Sequence, residues 1–111
     1  MAFQSTDQTI STGGTLTIAH GLGAVPTYVG YALVCQTADA GYSVGDVVHI
    51  EQIQDAANCG VSIAADSTNL KVKFGSNASG AFELNNKSTG NNVLLANSTN
   101  WKVRFFAGTT G

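Results

Sequence analysis

The residues able to do acid–base, metal or thiol chemistry are few: two histidines, seven carboxylates and two cysteines in 111 residues. A hydrolase needs a nucleophile with an orienting base, or two carboxylates converging on one bond. His49 lies close to Asp46 and Glu51, and His49 and Glu51 share one strand face at i and i+2. Two groups make a poor metal site, because even catalytic zinc takes three protein ligands. The plainer reading is the polar face of a half-exposed strand. His20 closes an alternating run on the face of Leu16 and Ile18, just before a glycine turn. There an imidazole caps the core and hydrogen-bonds the turn backbone. Asp55 and Asp66 read as turn formers, and Asp39 as bonding backbone within its own loop. Gly21, Gly23, Gly41 and Gly45 make no phosphate cradle, since no helix N-terminus follows them. They read as turn glycines at positive φ. The chain is expected to carry no catalytic residues, no metal and no cofactor.

Cys35 and Cys59 form no CxxC pair and have no clustered histidines. Cys35 ends an apolar run, where a buried free thiol is the ordinary outcome. A disulfide between the two stays open as an alternative, and a cytoplasmic origin argues against it.

The elements that position these groups are strands. The stretch from Ile18 to Asp46 carries the most information. An alternating run breaks at His20-Gly21-Leu22-Gly23, restarts after the sole proline, Pro26, and closes at Ala40-Gly41-Tyr42-Ser43-Val44-Gly45-Asp46. It reads as an antiparallel strand pair with well-specified turns. Tyr28 to Cys35 is apolar on both faces, as in a strand covered on both sides, and Val47 to Ile53 reads as a strand. Val61 to Ala65 and Leu70 to Phe74 form a hairpin around Asp66-Ser67-Thr68-Asn69. Segments follow at Ala81 to Asn86, Val93 to Ala96 and Trp101 to Ala107. In the last, Trp101, Val103 and Phe105 oppose Lys102, Arg104 and Phe106. About eight short strands at this spacing predict an all-β sandwich or barrel of antiparallel strands, with at least one long crossover. Residues 1–111 read as a single domain, with 1–12 as an N-terminal arm or edge strand.

Composition narrows the role. Charged residues make up 11%, whereas Ser, Thr, Asn and Gln together supply 35 positions. The net charge of -2, with cations only at Lys71, Lys73, Lys87, Lys102 and Arg104, leaves no basic stripe for nucleic acid. No run approaches the ~20 apolar residues of a membrane span, and no signal peptide opens the chain. Tyr28, Tyr31, Tyr42 and Trp101 could stack on sugars, but Trp101, Phe105, Phe74 and Phe82 fit core positions better. Phe106 alternates with Lys102 and Arg104, so it faces outward unless another chain covers it. With Phe3, Gly30 and Ala32 it forms the candidate partner interface.

The phrase HGLGAVPTYVGYALVC, followed by ADAGYSVGD, resembles a module of tailed-bacteriophage virion proteins. There an HGLG-x-x-P turn precedes an apolar strand ending in Cys and then A-x-x-GYS-x-GD. The resemblance covers Leu16 to Asp46 best, Gly60 to Phe74 more loosely, and fades at Lys87-Ser88-Thr89 and Trp101-Lys102. It implies an antiparallel β-sandwich, jelly-roll-like or lectin-like, assembled as a homotrimer. One implied role is a capsid decoration (cement) protein on the virion surface, made in the bacterial host cytoplasm, with the major capsid protein as partner. The other is a tail-fibre or receptor-binding tip, with Tyr42 and Asp46 contacting a host glycan. Met1 lies shortly before the module with no shaft ahead of it, which favours decoration as the expectation.

Overall fold

In the computed structural model, which describes residues 1–50 and 56–110, the chain is all-β with antiparallel pairing throughout. The described strands are β1 (Ala2–Gln4), β2 (Gln8–Thr9), β3 (Thr15–Ala19), β4 (Tyr28–Cys35), β5 (Val47–Val48), β6 (Val61–Ala65), β7 (Asn69–Phe74), β8 (Glu83–Asn85), β9 (Asn92–Leu94) and β10 (Trp101–Gly108). A 3-10 turn at Ser98–Asn100 leads into β10. They form a five-stranded sheet in the order β1-β10-β4-β5 with β2 also on β10, a three-stranded sheet β3-β7-β6, and the pair β8-β9. The expected strand from Val47 ends at Val48; Glu51, Ile53 and Asp55 lie outside the described residues.

Alternation is the cause of the longest elements. Trp101, Val103, Phe105 and Ala107 of β10 are buried, while Lys102, Arg104 and Phe106 are partly exposed on the opposite face. Leu70, Val72 and Phe74 of β7 are buried between exposed Lys71 and Lys73. The period of two sends each set to one face. These inner faces join Leu33, Cys35, Phe82 and Leu84 in one hydrophobic cluster. Phe82, just ahead of β8, links the sheets: its ring lies 5.7 Å from Tyr31 of β4 and 6.0 Å from Phe74 of β7. Burying a side chain of this size contributes about 1.5–3 kcal/mol.

The hairpin β6–β7 closes as expected. Asp66 Oδ1 accepts from the backbone N–H groups of Thr68 and Asn69 at 2.8 and 2.7 Å. These two bonds, with Lys71 nearby, hold the Asp66 carboxyl below its ordinary value. The expectation at the other end of the module needs correction. β3 and β4 are not a pair: β3 pairs with β7, and β4 with β10 and β5. The His20–Thr27 segment is a crossover between sheets, because local turn signals mark a change of direction without specifying the next partner.

Residues 2–4 and 8–9 pair with β10 of the same chain, Phe3 opposite Ala107 and Gln8 opposite Val103. Between them the chain carries one residue more than β10, so the edge bulges. Buried Ser5 sits there. Its N–H donates to the Phe105 carbonyl at 2.9 Å, and its Oγ accepts the Phe105 N–H at 2.9 Å. A hydroxyl thus replaces the ladder carbonyl. The bulge also brings Asp7 onto Arg104, which donates to both carboxylate oxygens at 2.7 and 3.3 Å. At the far end of β10 the Tyr28 side chain lies across Gly108, where any Cβ would collide with it.

Candidate functional site

Two regions gather the side chains singled out by sequence: the loop between β4 and β5, and the outer face of the five-stranded sheet. The loop folds onto its own motif. Asp39 and Tyr42 exchange backbone hydrogen bonds, and the Ser43 N–H donates to Asp46 Oδ2 at 2.9 Å. Cys35 N–H donates to the Asp46 carbonyl and Gly45 N–H to the Cys35 carbonyl, closing the base of the loop. Gly41 has φ +83, and a Cβ there would press on Lys87 and Ser88. Glycine is therefore required at this point on both conformational and steric grounds.

The polar side chains of the loop are engaged. Tyr42 donates its hydroxyl to the Asn85 carbonyl at 2.8 Å, and its ring meets Trp101 edge-on at 5.7 Å. Asp39 does not serve its own loop through its carboxylate, as sequence suggested. Its Oδ2 accepts from Trp101 Nε1 at 3.0 Å and from Asn100 Nδ2 at 3.3 Å. The Cys35 thiol donates to the Thr37 carbonyl at 3.1 Å. Burial pushes this thiol up, and the Asp46 carboxylate adds to the shift. Cys59 is likewise a buried thiol outside any disulfide, donating to the Gly80 carbonyl, and it is pushed up chiefly by burial.

The crossover is fixed in the same manner. Buried His20 accepts the Leu22 N–H on Nδ1 at 3.1 Å, so its proton resides on Nε2, which donates to the Asp66 carbonyl at 2.8 Å. The His20 N–H donates to the Thr68 carbonyl. The imidazole therefore ties the HGLG turn to the β6–β7 turn. His49 is placed elsewhere, on the outer sheet face, with its ring stacked 6.2 Å from Phe106. Among the described residues no three His, Cys, Asp or Glu side chains come together as a metal site would require.

The chain matches no family model, no curated protein and no solved structure.

On the outer face, Phe106 lies opposite Gly30 and Arg104 opposite Ala32. Phe106 is half-buried, and His49 of its own chain covers part of it. Ala32 has no exposed surface and cannot touch a partner. Space above Gly30 is open. A groove of about 290 Å³ is lined by Ala2, Phe3, Gln4, Tyr28, Phe106 and Ala107, but Phe3, opposite Ala107, packs towards the core, and Gln4 is the β1 residue beside Phe106. Tyr28 is 51% exposed, which makes it the most accessible aromatic there and one that sequence placed among core or sugar-stacking residues. Val29 beside it is exposed as well, and β4 is fully buried only from Ala32 to Cys35, so the expected cover on both faces holds for the second half of the strand alone. Ser5, Asp7 and Arg104 were also missed as partners, since nothing local in a polar segment marks a contact with a strand at the far end of the chain.

Proposed function

We propose that this chain is a non-enzymatic structural protein of a bacteriophage particle, a capsid decoration protein that binds and stabilises the head lattice. The reading takes the sheets as a β-sandwich and the working assembly as a homotrimer. One observation carries it. The polar side chains of both motifs, His20, Asp39, Tyr42 and Asp46, are engaged in fixing loops to the framework. Residues that suggest chemistry thus serve rigidity, which is what a bracing protein requires.

The mechanism is mass action. A protein that binds only the expanded lattice adds its binding free energy to the stability of the assembled shell. A trimer at a threefold position makes several contacts at once, so weak individual contacts act together. The outer-face groove at Gln4, Tyr28 and Phe106 is the surface this reading gives to neighbouring copies. Phe106→Asp should then dissociate the oligomer in light scattering without unfolding the chain.

The deciding experiment is the copy number of the chain per purified virion, by quantitative mass spectrometry against the major capsid protein. A ratio near that of the lattice supports decoration. A handful of copies points to the tail, and absence from the particle overturns the reading.

A further inference from the structure

Among the described residues, strand β3 is an edge whose outer hydrogen-bonding side is unused. The Phe74 N–H donates to the Gly14 carbonyl, and the His20 N–H to the Thr68 carbonyl. With Leu16 opposite Val72 and Ile18 opposite Leu70, alternation aims the backbone groups of Leu16 and Ile18 at β7. Those of Thr15, Thr17 and Ala19 therefore point away from the sheet. They have no backbone partner among the described residues, and all three residues are exposed. The strand reads TLTIA, with no charge, proline or bulge. Natural edges carry such devices to prevent pairing.

We infer that β3 pairs antiparallel with β3 of a second copy, about a twofold axis through Thr17. Thr17 then faces Thr17 of the partner subunit, and Thr15 faces Ala19 of the partner subunit. In this register every outward N–H and C=O of Thr15, Thr17 and Ala19 finds its complement. A slip of one residue turns the wrong groups together, and a slip of two leaves pairs unmatched.

A second copy fits because the strand is its own complement. On the exposed face only Thr and Ala meet, and on the inner face half-exposed Leu16 meets half-exposed Ile18. No charge confronts itself. The nearest cations in the sheet, Lys71 and Lys73, lie one strand back on β7. Across the twofold they stand three strand spacings apart, about 14 Å, beyond the screening length of about 8 Å at physiological salt. A single edge of this length belongs to the weak class of contacts, below about 1,200 Å². It forms at high concentration or between copies already held side by side. The inference uses nothing from the decoration reading and stands or falls separately from it.

The test is register-specific cross-linking of the full chain at high concentration with a short bismaleimide, both native thiols being buried. Thr17→Cys should give covalent dimer, Thr15→Cys alone should give little, and a mixture of Thr15→Cys with Ala19→Cys should restore it. Equal yields from Thr17→Cys and Thr15→Cys, or none from Thr17→Cys, would overturn the pairing. Independently, Thr17→Lys should abolish concentration-dependent dimer in sedimentation velocity while leaving the circular dichroism spectrum unchanged. Dimer retained by that variant would also sink the inference.

Discussion

The Trp101 indole N–H donates to the Asp39 carboxylate at 3.0 Å, joining residues 62 positions apart. Trp101 is buried at the start of β10, and Asp39 lies in the loop after β4. This bond ties the motif loop to the strand at the centre of the larger sheet.

Asp39→Ala leaves that buried donor without its acceptor, which costs about 1–3 kcal/mol. Asp39→Asn keeps an acceptor oxygen and should lose less. Urea unfolding followed by the fluorescence of the single tryptophan gives both values.

The same logic applies to Ser5, whose hydroxyl receives the Phe105 N–H inside the bulge. Ser5→Ala should destabilise by about 1–3 kcal/mol. Because the effect is local, the Phe105 amide should exchange faster with deuterium while amides of β7 remain protected. Equal loss of protection everywhere would mean the bulge is no separate weak point.

Asp66 gives a dependence on pH with a definite sign. Its carboxyl is held below the ordinary value by the Asn69 and Thr68 N–H groups. Its contribution is complete above the unfolded pKa of about 3.9 and is lost as pH falls through the lowered folded value. Asp66→Asn removes that titration. Wild type should be the more stable near neutrality, and the two melting curves should converge at strongly acid pH.

Both thiols are buried and pushed up, so little thiolate is available under native conditions. Labelling with a thiol-disulfide reagent at pH 8 should be slow for the folded chain and should reach completion on adding denaturant. A reductant should leave the melting temperature unchanged.

How much of this was legible depended on distance along the chain. β7 and β10 were readable because one face meets core and the other solvent, as the runs from Leu70 and Trp101 record. The β6–β7 turn was readable because Asp66 acts on residues two and three positions away. What failed was long-range. The glycines after His20 showed that the chain turns, but not that β4 would leave the sheet of β3. Asp39 signalled a loop carboxylate, and only the fold places Trp101 within reach. Phe106 was correctly set outward, yet the covering ring of His49 comes from a neighbouring segment that pattern alone does not align with it.

The order of strands in the larger sheet sets a timetable. β1 and β4 are neighbours of β10 in space but precede it widely in sequence, with Phe3 opposite Ala107. During synthesis both emerge with that side unpaired, while β6 and β7 can close their hairpin as soon as they appear. Pairings between such distant segments carry a large loop-closure cost and fold slowly. The nascent chain therefore holds two open strand edges until β10 has emerged, and this interval is when a chaperone would have most to do.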